Sequence, residues 1–419
     1  MEYQMERLKA EDYDELLAVM NRAFEKQEGE TFDVILPVMW ERDDEHMSKH
    51  IAIRLDGKIA AVVGIYPLPA VICGRPVMFG TIGNVATLPE YSGRGLMKRL
   101  VTEALQIAGE MGFDVVRLGG KRQRYNRYGF ENGGVDYQFE LTVKNLLDYN
   151  GVDYHGSALS GGESYSPYIT FRQIGAEDTE LIQFAMELQK KAFLYADRGN
   201  TKQFYKTLSA WNKKIWIAFG KDNEPIGYVC VSEDGTDMAE HRAGSDREEY
   251  QMICDWLLFS GAQEVTFHTA PWECGLNRLM GKICEKWSLI DTSHFNPLQW
   301  SKLLDALLAL KATYSLIPEG SFVLRIEGYG TVEFNGAHCV DSDKEPQLSL
   351  SHLDAVRFLL GSLPAAEVID ISEQVEGFRQ DSDAMGHAGV NSAGLTRETL
   401  LYIQSVFPLP LWWCDQDRV

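Results

Sequence analysis

The sequence predicts a mixed α/β (α+β) fold, and three observations carry that prediction. The stretch GNVATLPEYSGRGLMKRLVTEAL, Gly83 to Leu105, reads as an extended segment before Pro89 and as a helix after it. Its residues Leu96, Met97, Leu100, Val101, Ala104 and Leu105 recur at helical spacing. FDVVRLGG, Phe113 to Gly120, follows as a buried strand, so strand, helix and strand make a parallel crossover unit. Upstream, HIAIRLDGKIAAVVGIYPLPAVICGRPVMFG alternates apolar runs with Asp56-Gly57 and Gly74-Arg75-Pro76, the turn signals of antiparallel strands.

The other elements follow in order. YQMERLKAEDYDELLAVMNRAF gives a short strand, a turn and an amphipathic helix over about Asp12 to Phe24, so residues 1–150 form one mixed-sheet domain. Asn150 to Tyr168, rich in Gly and Ser, reads as a linker. ITFRQIGAEDTELIQFAMELQKKAF then repeats the opening plan, and KIWIAFGKDNEPIGYVCVSEDG gives two strands around a turn. Residues 165–287 therefore read as a degenerate duplication without the glycine junction. Residues 288–419 form a small α+β domain. Its parts are the helix in NPLQWSKLLDALLAL, the hairpin GSFVLRIEGYGTVEFNG, and a strand leading through Ser351 as N-cap into a helix that stops at Gly361.

Composition narrows the class. Among 419 residues, 45% are hydrophobic and 24% charged, as in a globular protein. No apolar run approaches a membrane span, and the acidic N-terminus is unlike a signal peptide. Seven scattered cysteines without a Cys-x-x-Cys pair fit reduced thiols in a cytoplasm. A net charge of −21 repels phosphate backbones, which argues against nucleic acid. The same field suits cationic partners such as amines or basic peptides, or serves solubility alone.

The chemistry gathers at the strand-to-helix junction. A helix start exposes unpaired N–H groups and a positive dipole end. Gly93 and Gly95 let a phosphate approach the backbone, and Arg94, Lys98 and Arg99 add cations. A plain turn with a solvated basic face is the alternative. Lys121 to Arg124, KRQR, fits either a phosphate contact or a solvated strand end. His46 and His50 stand one helical turn apart but lack a third ligand, so packing outweighs a metal pair.

The arrangement Val85-x-x-x-Pro89-x-x-x-Gly93-Arg94-Gly95, after a strand and opening a helix, resembles the acyl-CoA pyrophosphate loop of the GCN5-related N-acetyltransferases (GNAT). RYNRYGFENGG follows at the family's distance and is similar to its Tyr-x-x-x-Gly-Phe element. Ser92 stands where most members carry Arg or Gln, and Met97 where they carry Gly or Ala. A large apolar residue at that place is similar to the Eis-like branch. That branch combines two GNAT domains, the second without a working loop, and a C-terminal domain resembling sterol carrier protein, and LSLSHLDAVRFLLGSLP looks like the core of that module.

The resemblance implies acetyl-CoA as co-substrate, with Val85, Ala86 and Thr87 along the pantetheine arm and Ser92, Gly93, Arg94, Gly95, Leu96 and Met97 around the pyrophosphate. It implies direct acetyl transfer to an amine of a small molecule or peptide, with no metal, no nucleic acid and no membrane, and it leaves a homo-oligomer open. In that branch a tyrosine, here Tyr125, is the general acid, and the C-terminal carboxylate, here Val419, is the base. A non-catalytic lipid-binding or scaffold protein using the sterol-carrier-like module is the alternative of a different class.

Overall fold

The computed structural model describes residues 4–27, 29–150, 167–368 and 395–417. Seven strands lie in the first part: β1 Met5–Arg7, β2 His50–Leu55, β3 Lys58–Ile72, β4 Arg75–Thr87, β5 Val115–Leu118, β6 Glu131–Gly133 and β7 Asp136–Thr142. The middle part holds β8 Thr170–Gln173, β9 Leu194–Ala196, β10 Lys214–Phe219, β11 Pro225–Val231, β12 Asp237–Ala243, β13 Glu264–Thr269 and β14 Lys286–Ile290. The last part holds β15 Ser293–Pro297, β16 Ser321–Ile326, β17 Gly330–Asn335, β18 His338–Asp341 and β19 Leu348–Leu350. Helices Tyr13–Ala23, Leu96–Glu110, Thr179–Gln189, Trp300–Ala312 and His352–Leu360 stand where the periodicity puts them. Of the expected linker, residues 151–166 lie outside the described residues.

Local chemistry explains the turns. Asp56 and Gly57 sit at φ 51° and 76°, the left-handed pair that a two-residue hairpin between β2 and β3 needs. Between β3 and β4 that pair is Cys73-Gly74, at φ 49° and 76°, so Arg75 and Pro76 already belong to β4. The expected Gly74-Arg75-Pro76 turn shifts by one residue because the proline ring fixes φ near −65°. Ser351 caps its helix by accepting from the Asp354 N–H at 3.2 Å.

Three sheets result. The first runs β1-β2-β3-β4-β5-β15-β6, with β9 paired to β3; the second, taken from β8, runs β8-β10-β11-β12-β13-β7-β14. The two orders match place by place. In each, a helix crosses between parallel neighbours, Leu96–Glu110 between β4 and β5 and Asp246–Ser260 between β12 and β13. The sixth place is exchanged: β15 sits between β5 and β6, while β7 sits between β13 and β14. The boundary near 150 is thus crossed by β7 and β9, and the boundary near 287 by β15. The third sheet runs β18-β17-β16-β19.

Helix Leu96–Glu110 buries Leu96, Leu100, Val101, Ala104 and Ala108 against Ile51, Ile53, Ile82 and Val116. Each large aliphatic side chain so placed stabilises by about 1.5–3 kcal/mol. The segment from Phe407 to Trp413 is docked in the core, and the Trp413 ring lies 4.5 Å from that of Phe79, centroid to centroid. The seven cysteines are free thiols. Among the described residues, no helix is long and apolar enough to cross a membrane.

Candidate active site

The site begins with a flaw in the pairing of β4. β5 covers β4 only from Phe79 to Ile82. Just beyond, Asn84 and Val85 together face the single residue Val63 of β3, a bulge with Asn84 at φ 51°. The bulge is pinned from below: Asn84 Nδ2 donates to Tyr66 Oη at 2.6 Å and to His50 Nε2 at 3.0 Å, and Tyr66 Oη lies 2.7 Å from His50 Nε2. Burial lowers the His50 pKa to about 4, which keeps the ring neutral and able to accept. Past the bulge the pairing with β5 has ended, and among the described residues the edge of Val85, Ala86 and Thr87 has no strand partner on that side.

The junction follows. Gly93 and Gly95 hold φ 77° and 75°, and a Cβ at either would meet nothing within 4 Å. Glycine is required there by backbone conformation, at about 1–2 kcal/mol for any other residue, while the space above stays open. Helix Leu96–Glu110 has no side-chain cap and no acidic residue in its first turn, so its leading amides and positive dipole end face outward. Residues Val85 to Thr87 and Ser92 to Met97 all line one groove of about 500 Å³. An extended arm ending in a pyrophosphate fits this shape: backbone polar groups along an open strand edge, then N–H donors at a helix start.

A second cavity, of about 770 Å³, adjoins the groove and shares Phe24, Val85 and Arg124 with it. Tyr125 lines this cavity at the end of the short helix Arg122–Tyr125. The ring is buried edge-on to Phe130 at 6.4 Å, and Gly120 passes so close that a Cβ there would stand 2.7 Å from it. Burial raises the Tyr125 pKa above 10, with Arg124 opposing, so the phenol keeps its proton at neutral pH. Arg122 is tied to buried Glu131, its Nη2 donating to Oε2 at 2.7 Å, which fixes the short helix to β6. Arg124 lines both cavities, whereas Lys121 lines only the second.

Residues 4–133 match the model of an acetyltransferase (GNAT) domain. The matched stretch supplies strands β1 to β6 of the first sheet. Three solved structures share the fold over the whole chain. A conserved protein of unknown function from Enterococcus faecalis V583 has a TM-score of 0.67 at 15% identity and covers 98% of either chain. A GCN5-related N-acetyltransferase of Anabaena variabilis has 0.65 at 15%, covering 97% of either chain. Eis1 of Mycobacterium abscessus has 0.64 at 13%, covering 97% of this chain and 98% of its own. At such identities the likeness concerns the fold. No curated protein sequence matches.

Some residues of the site, and some partners of its residues, come from distant sequence. Arg117 of β5 is buried yet lines the second cavity; it donates to Ser293 Oγ at 2.9 Å and to the Asp417 carbonyl at 3.0 Å. An arginine inside an otherwise apolar strand was the signal for it. His294 of β15 also lines the cavity, and its Nδ1 is 3.1 Å from the Leu118 carbonyl, which assigns the proton to Nδ1 and the lone pair to Nε2. Burial lowers its pKa, against the Leu118 bond.

Asp417 is gripped by Arg198, whose Nε and Nη2 donate to its carboxylate at 2.8 and 2.9 Å. Val419 lies outside the described residues. His46 and His50 fall on different elements, His46 in the short helix Asp44–Met47 and His50 in β2, so they do not form a helical pair. His46 Nδ1 instead meets Asp43 Oδ1 at 2.8 Å. In the second sheet the corresponding helix start is capped by Ser245 and carries Asp246, Glu248 and Glu249, a charge that repels phosphate.

Proposed function

We propose that the chain is an acetyl-CoA-dependent N-acetyltransferase that acts by direct attack of a primary amine on the bound thioester, the acceptor being a small molecule or a peptide. The observation that carries this reading is the meeting of groove and cavity at Val85 and Arg124, with Tyr125 on the cavity wall. In this reading the amides at Gly95 to Met97 hold the pyrophosphate, and the free edge of Val85 to Thr87 holds the pantetheine arm. The co-substrate supplies an activated acetyl group.

The chain's own residues handle the protons. As the C–N bond forms and the C–S bond breaks, the Tyr125 O–H gives its proton to the departing sulfur. A carboxylate takes the proton of the amine, directly or through water, and the reading assigns that role to Val419. Support comes from Asp417, whose carboxylate Arg198 holds and whose carbonyl accepts from Arg117, a residue of the cavity wall. The reading divides the chain into a catalytic GNAT domain at 1–150, a degenerate GNAT-like domain at 165–287 and a sterol-carrier-protein-like domain at 288–419, working in the cytoplasm.

Calorimetric titration with acetyl-CoA, followed by a CoA-release assay over amines, tests it. Binding with amine-dependent CoA release is expected. A folded protein that ignores acetyl-CoA at millimolar concentration overturns the reading.

A further inference from the structure

The acceptor cavity reverses the charge of the molecule around it. The chain carries 61 acidic and 40 basic residues. Yet among the described residues the charged side chains lining this cavity are Lys26, Arg117, Lys121, Arg122 and Arg124 against the single acid Asp291, to which the proposed reading adds the Val419 carboxylate. Arg122 is matched by Glu131, and Arg117 is occupied by Ser293 and the Asp417 carbonyl. Lys26, Lys121 and Arg124 differ: among the described residues none of them belongs to an ion pair, and Lys26 faces only the rings of Phe32 and Trp211 at 5.7 and 5.8 Å. Asp291 is occupied by Asn132, whose Nδ2 donates to it at 3.0 Å. Glu25 and Glu30, near Lys26 in sequence, do not line the cavity.

Lys26 is half-buried while Lys121 and Arg124 are exposed at the rim, and cations gathered around one concavity add their fields there and attract a negative group. The −21 charge of the whole chain works in the other direction, but its field is screened beyond ~8 Å at physiological salt, so the lining decides inside the cavity. Two of the three cations stand on the segment that also carries Tyr125, and Lys26 follows the first helix. Phe24 and Phe32 add apolar lining.

We propose that the amine taken by this cavity also carries an anionic group, as an amino acid or the N-terminus of an acidic peptide does, and that Lys26 and Lys121 bind that group. This rests on the acetyltransferase reading. Arg124, at the border with the groove, stays within reach of either ligand. Polyamines and basic peptides, which the composition favours, are disfavoured here by like charge.

The test uses the full chain and amines matched in length: 4-aminobutyrate, 4-aminobutanamide and 1,4-diaminobutane, together with the dipeptide Gly-Asp and its diamide. CoA release is expected to give kcat/KM at least tenfold higher for each carboxylate than for its amide, and lowest for the diamine. The double variant Lys26→Glu, Lys121→Glu changes one half-buried and one exposed side chain and is expected to reverse that order while acetyl-CoA affinity by calorimetry stays within about threefold. Equal rates, preference for the diamine, or no turnover of any of the five while acetyl-CoA binds overturns the inference. So does a variant that loses acetyl-CoA affinity but keeps the acceptor order, because the cations then serve the cofactor. Failure of the unaltered chain to bind acetyl-CoA overturns the acetyltransferase reading itself.

Discussion

Replacing Arg198 by Met tests the clamp that fixes the C-terminal segment. The Arg198 guanidinium is buried and serves two buried carboxylates, Asp417 at 2.8 and 2.9 Å and Glu240 at 3.1 and 2.7 Å. Burial pushes the Glu240 pKa up, but Arg198 outweighs it and holds it at about 2, from a reference of 4.5. Asp417 goes the other way: burial and the charge of Glu240 outweigh its share of the same guanidinium. A depression of about 2.5 units is worth about 3 kcal/mol. Removing one partner of a buried pair costs about 3–5 kcal/mol, because the remaining charge has no escape but protonation.

Arg198→Met is therefore expected to destabilise by about 3–5 kcal/mol at pH 7 in urea unfolding followed by tryptophan fluorescence. The stability that Glu240 contributes is present above pH 4.5 and is lost as pH falls toward 2, so the gap between the two proteins should narrow below pH 4.5. Adding Glu240→Gln and Asp417→Asn removes the stranded charges and should recover most of the loss. A loss under ~1 kcal/mol at pH 7, or an equal loss at pH 7 and pH 4, refutes the reasoning.

Three further outcomes are expected. Gly95→Asp places a side chain in a left-handed position and a negative charge at the helix start, so acetyl-CoA affinity by calorimetry should fall at least tenfold, about 1.4 kcal/mol; unchanged affinity puts the cofactor elsewhere. Tyr125→Phe should lower kcat roughly 100-fold with acetyl-CoA binding kept. Because the Tyr125 pKa is raised above 10, loss of its proton should not depress kcat below pH 10, and a tyrosine-dependent fall near pH 8 would remove it from the acid role. A tag fused after Val419 should lower kcat about 100-fold relative to an N-terminal tag; equal rates assign the base to another group, for which His294 Nε2 is placed.

What could be read in the sequence was local. The helix Leu96–Glu110, the Asp56-Gly57 turn, the Ser351 cap and the glycine junction each depend on a few adjacent residues, and all stand in the structure. Tyr125 was reached through its neighbours Gly129 and Phe130, and it lines a cavity. Partner choice was not local. β7 pairs with β13 and β14, more than a hundred residues away, and β9 adds to β3, because register is set by which apolar faces meet in space. Arg117, His294 and Asp417 join the site through such pairings, so no spacing in the sequence brings them together.

The exchange of β7 and β15 decides where the candidate site gets its parts. β15 enters between β5 and β6, and that insertion delivers His294 to the cavity and Ser293 to Arg117. Asn296 of the same strand donates to the Tyr128 carbonyl at 2.9 Å, bracing the turn that follows Tyr125. Glu131, which anchors Arg122 beside Tyr125, also meets Arg357 at 3.2 Å, from helix His352–Leu360. Asp417 links the cavity's Arg117 to Arg198. The first groove is built from residues before 130 alone, whereas the second cavity needs residues from 211 and 291–294 as well. On the proposed reading, cofactor binding therefore belongs to the first 130 residues, and acceptor choice joins the lysines of that stretch to walls supplied by the later chain.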